Sequence, residues 1–174
     1  MVLKGGYWGK ILWVDLSSEE TSVATFDEGL ARKYLGGVGL ATRIIYERVT
    51  KNTNPLGPGN VLVFATGPYQ AANIASSGRC SVAAKSPLTG YWGESNAGGH
   101  IGPELKRAGF DAIVITGRAK RPVYLWVNDG RVEIRDSSCY CHREESSWVV
   151  CCHCLPHCFH RIQLRRRYSV NACP

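Results

Sequence analysis

The residues with the most chemical potential lie in 76–106, SSGRCSVAAKSPLTGYWGESNAGGHIGPELK. Within it, 93–99 (GESNAGG) is rich in glycine and short polar residues and is predicted to be a loop. It leads through Gly102 into a helix predicted over 103–108, with Pro103 at the first helical position and Gly109 just past the end. Glycine lets the backbone approach a ligand closely and turn its N–H groups inward. A helix start adds free donors and partial positive charge. Together these favour an anion such as a phosphate. Arg79, beside Gly78, could add a planar two-pronged donor for the same anion. Asn96 offers a donor and an acceptor to a heterocyclic edge. The alternative is that the glycines only make tight connections. The segment is not a GxxxxGK[ST] phosphate loop, and Gly36-Gly37-Val38-Gly39 holds a GxG without the rest of a dinucleotide fingerprint.

Other candidates are weaker. His100 sits in the same glycine loop and either faces a ligand or caps the chain and meets solvent. Glu94 is a supporting ligand or a turn residue. Cys80 alternates with Val82 in a predicted strand and reads as a buried structural thiol, since no base stands near it in sequence. Trp8, Trp13, Trp92 and Trp126 read as core or cofactor-packing residues. No residue is assigned a catalytic role, and none in 1–137 is assigned to a metal.

The elements that must hold these residues alternate in type. Strands are predicted over 7–16 and 21–26, flanking the polar turn 17–20, with further apolar strands over 61–65, 80–84 and 111–117. Asp27 is placed to cap a short helix carrying Leu30, Tyr34 and Leu35, closed by Gly36-Gly37. A second helix is predicted over 40–49, with Ile44, Ile45 and Val49 on one side. Residues 123–127 and 131–135 flank Asn128-Asp129-Gly130, a hairpin signal because the turn needs positive φ. Interleaved helices with several hairpins indicate an α+β fold with mixed or antiparallel sheets and short helices, rather than a doubly wound parallel sheet.

The chain has 174 residues, 44% hydrophobic and 20% charged, enough apolar material for a packed core. No run approaches the ~20 apolar residues of a spanning helix, and the start lacks a cleavable leader, so a cytoplasmic location is expected. Composition divides the chain. Residues 1–137 form the body. Residues 138–174 contain no glycine or lysine yet hold seven of the eight cysteines and four of the five histidines. The net charge of +7 leans on the arginines of this tail. Its run Arg165-Arg166-Arg167 has no interleaved aromatics, so nucleic acid is not the expected partner.

The body resembles the N-terminal domain of the aldehyde ferredoxin oxidoreductase family of tungsten-pterin enzymes. The resemblance runs collinearly over about residues 5–137, through YWGKILWVDLSSEE, ARKYLGGVGLATRIIYE and NVLVFATGP. It continues through SGRCSVAAKSPLTGYWGESNAGGHIGPELKRAGFDAIVITGRAKRPVYLWVNDGRVEIRD. It implies a tungstopterin, two pterin dithiolenes holding tungsten with phosphates bridged by magnesium. It also implies a [4Fe-4S] cluster, oxidation of aldehydes to carboxylic acids, and ferredoxin as electron acceptor. It implies further that family members often pair as homodimers. The family's SGR arginine falls on Arg79, and its ESNxGG asparagine and glycine fall on Asn96 and Gly98; these are the expected cofactor contacts. Family members are several-fold longer. Their cluster ligands and acid–base residues belong to domains beyond the matching region, so this chain is expected not to turn over substrate alone.

The tail admits three further readings, of which a disulfide framework is disfavoured by the expected cytoplasmic location. Cys151 and Cys154 have CxxC spacing, with His153, His157, Cys158 and His160 near by and Cys139, Cys141 and His142 upstream, a set that could hold zinc. The abrupt compositional break instead suggests a reading-frame change near residue 138 and a poorly ordered tail. An alternative for the whole chain follows: a non-enzymatic phosphate- or pterin-binding module with a zinc-binding basic tail.

Overall fold

The computed structural model describes residues 5–72, 74–75 and 77–137, together with the backbone of 150–151. Its strands are β1 (Lys10–Asp15), β2 (Glu20–Thr25), β3 (Leu62–Thr66), β4 (Cys80–Lys85), β5 (Trp92–Ala97), β6 (Ala112–Thr116), β7 (Val123–Asn128), β8 (Arg131–Asp136) and the two-residue β9 (Val150–Cys151). The helices are α1 (Glu28–Tyr34), α2 (Val38–Arg48) and α3 (Ile101–Arg107). Six strands form one sheet in the order β2-β1-β6-β3-β4-β5, and β8-β7-β9 form a second. In the large sheet β1 and β6 are parallel and the other neighbours antiparallel, so the expected α+β fold with a mixed sheet is what the chain adopts.

Strand alternation sorts the core into two layers. Leu12, Val14, Phe64, Ile113 and Ile115 share one face, where Ile101 and Leu105 of α3, Phe110, and Val123 and Leu125 of the β7–β8 hairpin cover them. Ile11, Val63, Ala65, Ala83, Ala112 and Val114 form the other face, covered by Leu40, Ala41, Ile44 and Ile45 of α2. Fully burying a leucine or isoleucine is worth about 1.5–3 kcal/mol, and the alanines opposite let α2 lie close to the sheet. The central strands β3 and β6 are buried on both faces, which is why both read as unbroken apolar runs.

Several local expectations hold. Asp27 Oδ1 accepts the Leu30 N–H at 2.8 Å and caps α1. The hairpin pairs Asn128 with Arg131 across a two-residue turn in which Asp129 and Gly130 both have positive φ (47° and 77°). Others are corrected. Leu35 does not join the core: it is the C-cap of α1, takes φ 60°, and stands 66% exposed. Val49 leaves α2 in an extended conformation. α3 begins at Ile101, so Pro103 is its third residue.

The register places the loops. Thr66 pairs with Cys80, Cys80 with Ala97, Ala65 with Ala112, and Ala112 with Ile11. One end of the sheet therefore gathers the end of β3, the starts of β1, β4 and β6, and the end of β5. The N-terminus of α2 joins them, because the Gly37 N–H donates to the Thr66 carbonyl at 2.9 Å. The opposite end holds Lys85, Trp92 and the residues that follow α2.

Candidate functional site

The end that gathers Thr66, Arg79 and Gly98 is the candidate site. The largest correction falls here. Residues 93–97, predicted as part of the glycine loop, belong with Trp92 to β5, an edge strand paired residue by residue with β4. Polar side chains and a glycine hid it, but an edge strand can stay largely wet, and all six of its residues are exposed or only partly buried. Half of its amides face β4 in the ladder, so they are not a phosphate cradle. The loop between β5 and α3 is only Gly98, Gly99 and His100.

Arg79 stands just before β4, exposed, with no side-chain hydrogen bond or ion pair among the described residues. Gly98 and Gly99 are exposed, and a Cβ on either would meet nothing within 4 Å, so their backbone is open to a ligand. The two segments pack together. A Cβ on Gly78 would come 3.0 Å from the Gly99 carbonyl oxygen, and one on Gly102 would come 3.1 Å from the Arg79 carbonyl and 2.7 Å from Gln70 Oε1. That Gln70 oxygen is buried with no hydrogen-bond partner among the described residues. Asn96 is exposed on β5; its Nδ2 donates to Glu94 Oε1 at 3.1 Å and its Oδ1 accepts from Ser81 Oγ at 3.4 Å. Arg79 and Gly98 thus flank one rim. Asn96 joins them from the paired strand, with its amide held by neighbours rather than free.

The other candidates separate from this rim or stay in supporting positions. Cys80 is fully buried, its thiol facing the Ala65 carbonyl at 3.5 Å, and burial pushes its pKa up to about 12. It is a structural thiol, as expected. His100 is the N-cap of α3 without a side-chain cap bond. Of the four tryptophans, Trp13 packs against the core from a half-buried position. Trp8 is 55% and Trp92 40% exposed, while half-buried Trp13 and Trp126 lie beneath the guanidinium groups of Arg48 and Arg135 at 4.6 and 4.3 Å.

Sequence reasoning missed the buried polar scaffold behind the rim. Lys106 and Asp111 are 4% and 1% exposed and form an ion pair between Nζ and Oδ1. Asp111 Oδ2 accepts the Gly9 and Lys10 N–H groups at 2.6 and 3.3 Å. Tyr7 donates its hydroxyl to the Leu35 carbonyl at 2.5 Å; burial first, and then the Asp111 carboxylate, raise its pKa and keep that proton in place. A lysine five residues before an aspartate at a strand start was the only available signal.

Among the described residues no group of three or more His, Cys, Asp or Glu side chains could hold a metal ion. The described residues therefore do not fit an iron–sulfur cluster or a protein-ligated metal. They do fit charged groups of an organic cofactor: a guanidinium without a partner among the described residues, open glycine backbone and a surface amide. The candidate zinc ligands Cys139, Cys141, His142, His153, Cys154, His157, Cys158 and His160, and the run Arg165–Arg167, lie outside the described residues; Cys151 is described as backbone only. No helix among the described residues is long and apolar enough to cross a membrane.

Fold and rim define a mixed-sheet α+β domain with an exposed cationic, glycine-lined edge. The chain belongs to the family described as aldehyde ferredoxin oxidoreductase, N-terminal domain, whose sequence model matches residues 11–148. It is 47% identical over 133 residues to a tungsten-containing aldehyde ferredoxin oxidoreductase of Pyrococcus horikoshii, covering 76% of this chain and 22% of that protein. It is 37% identical over 137 residues to an aliphatic sulfonate oxidoreductase, WOR-like subunit, of Pyrococcus furiosus, covering 77% and 22%. A solved structure, the active-site complex BamBC of benzoyl coenzyme A reductase with 1,5-dienoyl-CoA, is similar with a TM-score of 0.77 and 35% identity. That likeness covers 79% of this chain and 21% of the solved one. The chain spans about a fifth of the length of these relatives.

Proposed function

We propose that this chain supplies one wall of the pterin-cofactor seat of a tungsten-dependent oxidoreductase that oxidises aldehydes to carboxylic acids with ferredoxin as acceptor. The observation that carries the reading is the state of Arg79: an exposed side chain with no hydrogen bond or ion pair among the described residues, on a segment whose Gly78 packs against the open Gly98–Gly99 backbone. A structural arginine is usually paired or laid along apolar surface. In this reading Arg79 binds cofactor phosphate in a two-pronged contact, Gly98 lets the phosphate approach the main chain, and Asn96 hydrogen-bonds the pterin edge. The tungstopterin supplies the two-electron chemistry; this chain supplies binding and orientation. The magnesium between the phosphates belongs to the same proposal. The [4Fe-4S] cluster and the acid–base groups are assigned to sequence outside the matched region, as is any dimer contact. The relatives are named for aldehydes, an aliphatic sulfonate and a benzoyl thioester, so the aldehyde assignment follows the relatives with the higher identity.

The test is direct. Pyrophosphate, the charged part of such a cofactor, is titrated into the purified chain by calorimetry. The expected result is binding that Arg79→Ala weakens on the order of ten-fold, the loss of one charge-assisted contact. Absence of binding, or identical affinity in the variant, would overturn the seat assignment. The same protein, produced with tungstate, is expected to show no aldehyde-dependent viologen reduction; robust reduction would refute the claim that these residues do not act alone.

A further inference from the structure

We propose that the buried Lys106–Asp111 pair is a positioning device for the rim, setting both loops that flank Arg79 from one point inside the fold. The inference rests on the seat reading above for what the rim binds, but not for how the rim is held.

α3 has seven residues, too short to persist alone, so its placement is decided by tertiary contacts. Its first turn carries Gly102, which lies against the Arg79 backbone, and the loop Gly98–His100 leads directly into it. Its last turn carries Lys106. That residue is held twice: its ammonium pairs with Asp111, and its carbonyl accepts the Trp8 indole N–H at 2.6 Å. Sliding or rotating α3 would break both bonds at once, and the Gly98–His100 loop would move with it.

Asp111 also reaches the second loop. Its side chain takes the Gly9 and Lys10 amides, and its own N–H donates to the Lys10 carbonyl at 2.8 Å. Its carbonyl accepts both the N–H and the hydroxyl of Thr66, at 2.9 and 2.8 Å. The Thr66 carbonyl in turn accepts the Gly37 N–H at 2.9 Å, where the loop approaches so closely that a Cβ on Gly36 would stand 2.7 Å from that oxygen. Asp111 therefore ties α3 and β1 through its carboxylate, and β3 with the N-terminus of α2 through the main-chain carbonyl that this carboxylate holds in place. Apolar contacts could bury the same volume at less desolvation cost, but they would not fix direction. A charge pair whose two residues also make these six further hydrogen bonds does, which is what a ligand seat requires and a core does not.

The experiment compares the chain with Asp111→Asn, which keeps the shape and an acceptor but removes the charge, and with Lys106→Met. Amide hydrogen exchange is read at Gly37 and at Glu104, whose N–H closes the first turn of α3 on His100. Amides of the β7–β8 ladder serve as controls. The expected result is exchange at least ten-fold faster at Gly37 and Glu104 with the ladder unchanged, and pyrophosphate affinity about ten-fold weaker in the folded variants. Unchanged exchange, an equal rise at every amide, or faster local exchange with unaltered affinity would each overturn the proposal. So would failure of both variants to fold, since the pair would then serve the fold as a whole. If the parent chain binds no pyrophosphate, the seat reading falls, and the exchange pattern alone still decides the positioning claim.

Discussion

Two cations stand at opposite ends of β4, and the molecule treats them differently. Lys85, the last residue of the strand, is 8% exposed, and its ammonium donates to the carbonyls of Thr50, Lys51 and Thr53 at 3.0, 2.8 and 2.9 Å. All three of its donors are used, and it closes the chain that leaves α2. Asn60 completes that end, with its Nδ2 donating to the Pro55 and Lys85 carbonyls and its Oδ1 accepting the Val61 and Lys85 amides. Arg79, just before the strand, is exposed and has none of this. A buried cation with every donor satisfied is part of the architecture. An exposed one on a segment packed beside open glycine backbone is not, and in the proposed reading it is free to meet a ligand.

The contrast can be broken or sharpened by substitution. The largest effect is expected for Asp111→Ala, which leaves Lys106 buried without a counter-charge and strips an acceptor from Gly9 and Lys10. Urea unfolding should show a loss of about 3–5 kcal/mol. A loss below 1 kcal/mol would mean that the scaffold behind the rim is dispensable. Lys85→Met should cost about 2–3 kcal/mol by orphaning the three carbonyls, with pyrophosphate binding at the far end unaltered. Equal damage to binding would show that the two ends are not independent.

Cys80 gives a pH signature for the core between them. Its folded-state pKa is raised to about 12 by burial, above the ordinary thiol value, so the unfolded chain loses its proton first as pH rises. Stability should therefore be unaffected by this group below about pH 8.5, then fall by roughly 1.4 kcal/mol per pH unit up to the folded value. Cys80→Ala should remove that slope, measured by unfolding at pH 8 and pH 10. The smallest stability effect belongs to Arg79→Ala, expected within about 0.5 kcal/mol of the parent because the side chain supports nothing. A larger loss would make Arg79 structural and erase the contrast.

Much of the fold was legible in the chain because its signals are local. The Asp27 cap, the Asp129-Gly130 turn and the apolar runs of β3 and β6 each depend on a few neighbouring residues. What was misread depended on partners distant in sequence. The GESNA segment looks like a loop until β4 pairs with it, and an edge strand has no composition that demands one. Leu35 looks like core until its positive φ turns it outward. The rim residues Arg79, Asn96 and Gly98 were legible from the chemistry of their segment and from the family motif that falls on them. The motif alone did not reveal that Arg79 has no partner among the described residues, or that the Asn96 amide is already engaged with Ser81 and Glu94.

By itself the amino-acid order determined the α+β class, the family and the identity of the rim residues, because periodicity, turn chemistry and motif spacing are properties of short stretches. Only the tertiary structure decided that residues 37, 66, 79 and 98 meet at one end of one sheet, and that Lys106 and Asp111 are buried together behind them. Those facts come from strand register and from the low dielectric of a closed core, where a charge must find its partner and neither the register nor the partner is written in adjacent residues.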